Sequence, residues 1–179
     1  MDYRLFIAID LPETVREELS RLCCSLEKIR WVSEEQFHLT LRFIGRGDGA
    51  LVRDLCDRLS ILETQPFFLS LQGTGCFPPG GDPKILWAGL EQSVPLSKLY
   101  RQIQKELVLC GIEREGRKFI PHITLGRLKG EPLLNVGQWL SRTSSFKTED
   151  FEVDSFHLYT SQLYPEGAVH NKLASFLLY

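Results

Sequence analysis

The sequence has no excess of positive charge and no long hydrophobic run, and each absence excludes a class of protein. Its 179 residues carry 21 Lys and Arg against 23 Asp and Glu, for a formal net charge of −2. No global positive field therefore draws the chain to nucleic acid or to an anionic membrane. The apolar run 5–9 is too short for a signal peptide or a membrane span. We expect a cytoplasmic protein without membrane contact, in which any contact with nucleic acid is local.

The cysteines lack the spacing of a disulfide framework or a metal site. The five cysteines are an odd number and include no Cys-x-x-Cys pair, so neither a disulfide framework nor a zinc ribbon is predicted. We expect structural thiols in a reducing compartment. With 43% hydrophobic and 25% charged residues the composition is that of a globular protein, and the length predicts one domain over residues 1–179.

Hydrophobic periodicity predicts an α+β fold. Apolar residues at helical spacing predict three helices, near 12–30, 51–62 and 96–110, with Gly111 as the C-cap of the third. Short apolar or alternating runs predict strands near 5–9, 37–45, 67–72, 84–90, 119–126, 151–159 and 173–178. Several strands follow one another without a helix between them, so we expect antiparallel pairing rather than a doubly wound sheet. Segment 131–145 stays ambiguous.

A four-residue motif occurs twice, as His38-Leu39-Thr40-Leu41 and as His122-Ile123-Thr124-Leu125. The copies are close to half a chain length apart, and each lies in a predicted strand that follows a predicted helix. A duplicated unit with pseudo-twofold symmetry would bring them together. Because residues i and i+2 of a strand share a face about 7 Å apart, each copy presents one imidazole and one hydroxyl, while its apolar residues point into the core.

Two histidines and two threonines in one groove suit in-line displacement at phosphorus. One neutral imidazole can remove a proton from water while a protonated one delivers a proton to the departing oxygen. The threonine hydroxyls can bind the non-bridging oxygens. This chemistry needs no metal and no cofactor, and neither motif contains the Asp or Glu of a typical His₂-carboxylate metal site. The other histidines, His157 and His170, are expected to be structural or at the surface.

Further segments around the motifs share a pattern with a known family. They are Arg4-Leu5-Phe6-Ile7-Ala8-Ile9-Asp10-Leu11-Pro12, then Trp31 ahead of His38-Leu39-Thr40-Leu41-Arg42-Phe43-Ile44-Gly45, then Leu86-Trp87-Ala88-Gly89-Leu90, and Phe119-Ile120-Pro121-His122-Ile123-Thr124-Leu125-Gly126-Arg127. With these segments the chain resembles the two-histidine phosphoesterases, and more narrowly the RNA 2′,3′-cyclic phosphodiesterases once named 2′-5′ RNA ligases. The resemblance implies a bilobal fold with two antiparallel sheets, outer helices and a central cleft lined by both motifs. One departure is Gly167-Ala168-Val169-His170, where the family commonly has a tyrosine a few residues after a glycine.

The resemblance also implies an activity. Such enzymes open a terminal 2′,3′-cyclic phosphate of RNA by hydrolysis to a 2′-phosphate, without metal or nucleotide cofactor, and some also join tRNA halves through a 2′-5′ linkage. On this basis His38 would be the proton donor to the leaving 3′-oxygen and His122 the proton acceptor acting on water. Thr40 and Thr124 would hold the phosphate. The implied partners are RNA ends, including tRNA halves, and the protein is expected to be a monomer.

Two arginines are candidates for binding the substrate. Arg42 continues the face of His38 and Thr40 by alternation, and Arg127 closely follows the second motif. Either side chain could contact a phosphate of the RNA backbone. Phe77 and Trp87 could stack a base, although core packing is favoured for Trp87 in its apolar run.

Two other functions stay open at this point. A small cyclic nucleotide or a 2′-5′-linked oligoadenylate could be the substrate in place of an RNA end. A catalytically silent module could use the same cleft only to hold nucleotides, although the presence of both histidines and both threonines disfavours it.

Overall fold

The computed structural model describes residues 3–23, 26, 29–79, 82–128, 135–164 and 167–179. Over these ranges the strands are Tyr3–Asp10 (β1), Ile29–Trp31 (β2), His38–Gly47 (β3), Phe67–Leu69 (β4), Leu71–Phe77 (β5), Ile85–Leu90 (β6), His122–Leu128 (β7), Phe151–Val153 (β8), Ser155–Tyr164 (β9) and Gly167–Leu177 (β10). The helices are Glu13–Leu22 (α1), Gly49–Ser60 (α2), Val94–Leu109 (α3) and Val136–Thr143 (α4), with a 3₁₀ turn at Glu34–Gln36.

The strands form two four-stranded antiparallel sheets. The first sheet has the order β10-β9-β1-β3 and the second has the order β2-β7-β6-β5, while β4 and β8 pair separately. Each helix buries one apolar side, for example Leu55 and Leu59 of α2 and Leu99 and Ile103 of α3. The predicted α+β class with antiparallel sheets is confirmed.

The order of elements repeats around the two motifs. In the first half, β1 and β3 flank α1 and pair antiparallel, and α2 follows. In the second half, β6 and β7 flank α3 and pair antiparallel, and α4 follows. Each motif therefore begins a strand that follows a helix and pairs with the strand before that helix.

Several predicted boundaries are wrong. The first helix does not reach residue 30: it ends at Leu22, and Ile29–Trp31 is a strand that pairs with β7. Tertiary packing overrides the helical spacing here, because Ile29 and Trp31 cover Gly126, where an added Cβ would lie 2.7 Å from Ile29 Cγ2 and 2.8 Å from Trp31 Cε3. The run 151–159 is divided between β8 and β9, and β10 begins before residue 173, at Gly167.

The apolar residues of both motifs lie in the core, as predicted. Leu39, Ile123 and Leu125 are fully buried, and Leu41 is 3% exposed. Burial of such a side chain contributes roughly 1.5–3 kcal/mol, so these residues fix the register in which the intervening histidines and threonines face outward. In the described ranges, no helix combines the length and the apolar character needed to span a membrane.

Candidate active site

The two motif strands lie side by side where the sheets meet. β3 is the edge strand of the first sheet and β7 is an inner strand of the second, and Cα atoms of the two strands approach within 8 Å. A side chain also links them: Arg42 on β3 donates to Glu115 Oε2 at 2.7 Å and to the Glu113 carbonyl at 2.6 Å. Both acceptors belong to the segment that leads into His122.

The two motif histidines are anchored by the same local contact. His38 Nδ1 lies 2.7 Å from the Gln36 carbonyl oxygen, and His122 Nδ1 lies 2.7 Å from the Ile120 carbonyl oxygen. A carbonyl only accepts, so Nδ1 carries the hydrogen and the neutral ring has its lone pair on Nε2. Within the described ranges neither Nε2 has a hydrogen-bond partner. Each ring therefore presents Nε2 as an acceptor when neutral and as a donor when protonated.

The two motif threonines share a face with their histidines. Thr40 pairs with Ala8 and Thr124 pairs with Trp87, each two residues after its histidine on a regular stretch of strand. Both threonines are half-buried. In the part of the chain that the structure describes, neither hydroxyl has a protein hydrogen-bond partner. The two hydroxyls are therefore free to donate to a ligand that lies against both strands.

Burial lowers the pKa of both motif histidines. For His38, burial outweighs the hydrogen bond to Gln36, with a further lowering by the neighbouring His170 and an opposing effect of Asp10, and the pKa is about 4. For His122, burial again outweighs its carbonyl hydrogen bond, and the charge of Arg127 lowers the pKa further. Near pH 7 both rings are therefore neutral in the free protein.

A β-bulge changes the position expected for Arg42. The register runs from Thr40 opposite Ala8 to Arg42 opposite Ile7, so one extra residue is inserted between them. Ile7 points into the core, whereas Ala8 lies on the face of His38, and simple alternation from Thr40 to Arg42 is therefore wrong. The guanidinium is held by Glu113 and Glu115 instead. Whether Arg42 contacts the substrate stays a prediction.

A bulge at the corresponding place in β7 has the opposite effect on Arg127. Thr124 lies opposite Trp87, but Gly126 lies opposite Leu86 and Arg127 opposite Ile85. Since Trp87 and Ile85 share a face of β6, Arg127 shares the face of Thr124. Arg127 is exposed there and lies close enough to His122 for its charge to lower the histidine pKa.

Aromatic rings surround each motif histidine, and of these only Phe77 and Trp87 are predicted from the sequence as candidates for base stacking. The Phe6 ring lies 5.1 Å from His38, and His170 meets His38 edge-on with centroids 5.4 Å apart. The ring centroids of Phe77 and Trp87 lie 5.0 and 6.2 Å from the ring centroid of His122. The expectation that His170 has only a structural or surface role missed its contact with His38, because strand register between distant segments is not visible in a single sequence.

A polar network borders the His38 side of the site. Asp10 lies opposite His38 in the register, and it accepts from Tyr159 and, at 2.7 Å, from Lys172. His157 Nε2 lies 3.4 Å from Asp10. Burial raises the pKa of Asp10, but the hydrogen bonds from Lys172 and Tyr159, together with the charges of His157 and Lys172, outweigh it, so the net pKa is lowered and the carboxylate stays ionised.

No set of three or more His, Cys, Asp or Glu side chains in the described ranges is arranged to hold a metal ion. The polar side chains on the outward face of the two motifs are imidazoles, hydroxyls and the guanidinium of Arg127, which are hydrogen-bonding partners of a phosphate. The geometry therefore suits proton transfer to and from a phosphate ester whose oxygens are bound by hydroxyl and guanidinium groups.

Comparison with known proteins places the chain among enzymes that act on such esters. The RNA 2′,3′-cyclic phosphodiesterase of Thermotoga maritima is 35% identical over 176 residues, which cover 95% of this chain and 92% of the relative. The enzyme of the same name from Archaeoglobus fulgidus is 32% identical over 97% of this chain and 99% of its own length.

Solved structures agree with these relatives. The protein TT0787 of Thermus thermophilus matches with a TM-score of 0.81 and 30% identity over 98% of this chain and 97% of its own. E. coli LigT complexed with 3′-AMP matches with a TM-score of 0.79 and 26% identity over 99% of both chains. The family model described as LigT like Phosphoesterase matches twice, over residues 9–87 and 90–170. Each match contains one histidine motif, and the chain therefore belongs to the LigT-like phosphoesterase family.

Proposed function

We propose that this protein hydrolyses the terminal 2′,3′-cyclic phosphate of RNA to a 2′-phosphate, with no metal ion in the reaction. One observation carries the proposal: His38 and His122, on adjacent motif strands, are both anchored through Nδ1 to the carbonyl two residues earlier. Both Nε2 atoms are thereby presented for proton transfer. The curated relatives named RNA 2′,3′-cyclic phosphodiesterase support the choice of substrate.

The reaction uses the two histidines in opposite directions. Nε2 of His122 takes a proton from water as the water oxygen forms a bond to phosphorus. The bond from phosphorus to the ribose 3′-oxygen breaks, and Nε2–H of His38 delivers a proton to that oxygen. The products are a 2′-phosphate and a 3′-hydroxyl, and proton exchange with solvent restores both rings. Each positioned acid or base contributes on the order of 10²–10⁴-fold.

The threonines and Arg127 stabilise the negative charge on the non-bridging phosphate oxygens in the transition state. Hydroxyl donors from Thr40 and Thr124 bind the two non-bridging oxygens, and the loss of one such donor costs on the order of 10²–10³ in kcat. Arg127, on the face of Thr124, adds a positive charge for the phosphate. Arg42 acts less directly, because its contacts with Glu113 and Glu115 hold the segment before His122 against β3.

The acid must acquire its proton with the substrate. The pKa of His38 is about 4 in the free protein, but an anion within about 4–6 Å favours the charged form of an imidazole. Binding of the cyclic phosphate therefore loads His38 with the proton that it later donates. With a ribose 5′-hydroxyl in place of water, the same displacement joins two RNA ends through a 2′-5′ linkage: His122 takes the proton of the 5′-hydroxyl and the 3′-oxygen leaves as before. The proposed substrates are RNA ends such as those of tRNA halves. The proposed enzyme is a monomer and acts in the cytoplasm.

The test is to incubate the purified protein with EDTA and a short RNA that ends in a 2′,3′-cyclic phosphate, and to assign the product by mass and regiochemistry. We expect a 2′-phosphate, and we expect His122→Ala to abolish its formation without changing the melting temperature. A 3′-phosphate would mean that the 2′-oxygen leaves and the substrate lies reversed. Nucleotide binding with no product would contradict the proposal and favour a binding module.

A further inference from the structure

Three residues continue the face of the first sheet beyond His38. Phe43 pairs with Phe6, and Arg46 pairs with Arg4, which precedes Phe6 by two residues on the unbulged strand β1. The Phe6 ring contacts both the His38 ring, at 5.1 Å, and the Phe43 ring, at 5.9 Å. Arg4, Phe43 and Arg46, called here the arginine strip, therefore lie on the same face as the proposed acid.

The two arginines of the strip form a cross-strand pair of like charges. Arg4 and Arg46 lie directly opposite each other on antiparallel strands, and both are exposed. Like charges at opposed positions destabilise a sheet. Neither arginine has an ion pair with a carboxylate in the described ranges. An anion bound between them would turn this repulsion into attraction on both sides.

Phe43 adds an aromatic surface between this pair and the active site. Its side chain is 63% exposed, whereas Phe6 beside it is 2% exposed. A single exposed phenylalanine needs no explanation, but one that lies between a proposed phosphodiesterase centre and an unpaired arginine couple offers a base a stacking surface. Stacked bases and bound phosphates are the two contacts by which proteins hold single-stranded nucleic acid.

The spacing along the strip corresponds to several nucleotides. From Asp10, which lies opposite His38, to Arg4 the strand advances six residues, or about 20 Å. A nucleic-acid strand advances about 3.4 Å per nucleotide when stacked and more when extended. The pair Arg4 and Arg46 therefore reaches a phosphate roughly three to six nucleotides away from a cyclic phosphate bound at His38.

We propose that the arginine strip is a subsite for single-stranded RNA upstream of the cyclic phosphate, with Phe43 stacking a base and Arg4 and Arg46 binding a backbone phosphate. This inference rests on the proposed function and narrows its substrate to oligonucleotides in preference to cyclic mononucleotides. Although the chain has a net charge of −2, the arginine strip is a local positively charged surface that extends from the candidate active site.

The experiment compares kcat/KM for 2′,3′-cyclic AMP with kcat/KM for an eight-nucleotide RNA that ends in a 2′,3′-cyclic phosphate. The variants are Arg4→Gln/Arg46→Gln and Phe43→Leu. The control is Arg53→Gln/Arg101→Gln, which removes the same charge from exposed positions on helices. We expect the ratio of oligonucleotide to mononucleotide kcat/KM to fall at least tenfold in the double variant and roughly tenfold in Phe43→Leu, with the control unchanged.

A second readout is salt dependence. Each phosphate contact in a single strand contributes about −0.7 to the slope of log affinity against log salt concentration. For binding of the eight-nucleotide RNA, this slope should therefore be shallower by about 0.7 in the double variant than in the native protein. If the native protein turns over neither substrate, the proposed function fails. If it turns over both and the ratio is unchanged in the variants, or falls equally in the control, the function stands and the strip is refuted.

Discussion

The low pKa of His38 predicts a specific loss of stability in acid. An unfolded histidine titrates near pH 6.5, whereas His38 in the folded protein has a pKa of about 4, chiefly because of burial. As the pH falls from 6.5 to 4, the unfolded chain binds a proton at His38 that the native protein does not, so stability is lost over this window. The difference corresponds to about 3 kcal/mol when the titration is complete.

The variant His38→Gln isolates this single group. Glutamine keeps a side-chain N–H for the Gln36 carbonyl but does not titrate. Urea denaturation at pH 7 and pH 4.5 should show the native protein losing about 2 to 3 kcal/mol more unfolding free energy than the variant. Other carboxyl and imidazole groups titrate in both proteins and cancel to first order. Equal losses in the two proteins, or an NMR titration of His38 near pH 6.5, would show that burial does not lower the pKa of His38 in the folded protein.

The same pKa predicts how the acid is loaded for catalysis. A nucleoside 2′-monophosphate, which resembles the proposed product, should bind at pH 6 with net uptake of protons because its charge stabilises protonated His38. Titration calorimetry in buffers of different ionisation enthalpy measures this uptake. We expect the uptake to be smaller in His38→Gln, by up to about one proton. Equal uptake by the native protein and the variant would mean that another group receives the proton.

Two further predictions concern the His122 side of the site. Gly75→Ala should lower kcat by roughly tenfold, because the added Cβ would lie 2.1 Å from the Trp87 ring, which packs near the His122 ring. The control is Gly116→Ala, whose Cβ meets nothing within 4 Å. Equal activity of the two variants would show that the position of Trp87 does not affect His122. Arg127→Gln should raise KM and, by removing a charge that lowers the pKa of His122, should move the acidic limb of the kcat profile to higher pH, because kcat reports the substrate complex in which His38 is already protonated; an unmoved limb would exclude this electrostatic role.

The sequence was sufficient to predict the parts of the site that depend on local pattern. Period-two alternation placed His38 and Thr40 on one face and Leu39 in the core, and the core position is confirmed. Period-two alternation fails where a β-bulge inserts an extra residue into the strand. After Thr40 a bulge moves Arg42 off the face of His38 and places Phe43 on it. The residue types in this segment do not predict a bulge.

Contacts between segments far apart in the chain were beyond the sequence. Gln36 illustrates this: its carbonyl anchors His38, while its side-chain amide donates to the Ala168 carbonyl on β10. Strand β10 in this way brings His170 against the His38 ring. Such neighbours depend on register between strands more than a hundred residues apart, which hydrophobic periodicity does not encode.

The near-symmetry of the two motifs left the donor and acceptor roles open, and the surrounding charges break that symmetry. Asp10, held ionised by Lys172 and Tyr159, raises the pKa of His38, whereas the cation Arg127 lowers the pKa of His122. Burial and the neighbouring His170 oppose the effect of Asp10 in the free protein. Burial lowers the pKa of His38 to about 4 despite Asp10, so the role of His38 as proton donor stays a prediction that depends on the charge of the bound phosphate. Apart from burial, the charges of Asp10 and Arg127 favour protonated His38 and neutral His122, the arrangement in which water is deprotonated at one motif and the 3′-oxygen is protonated at the other.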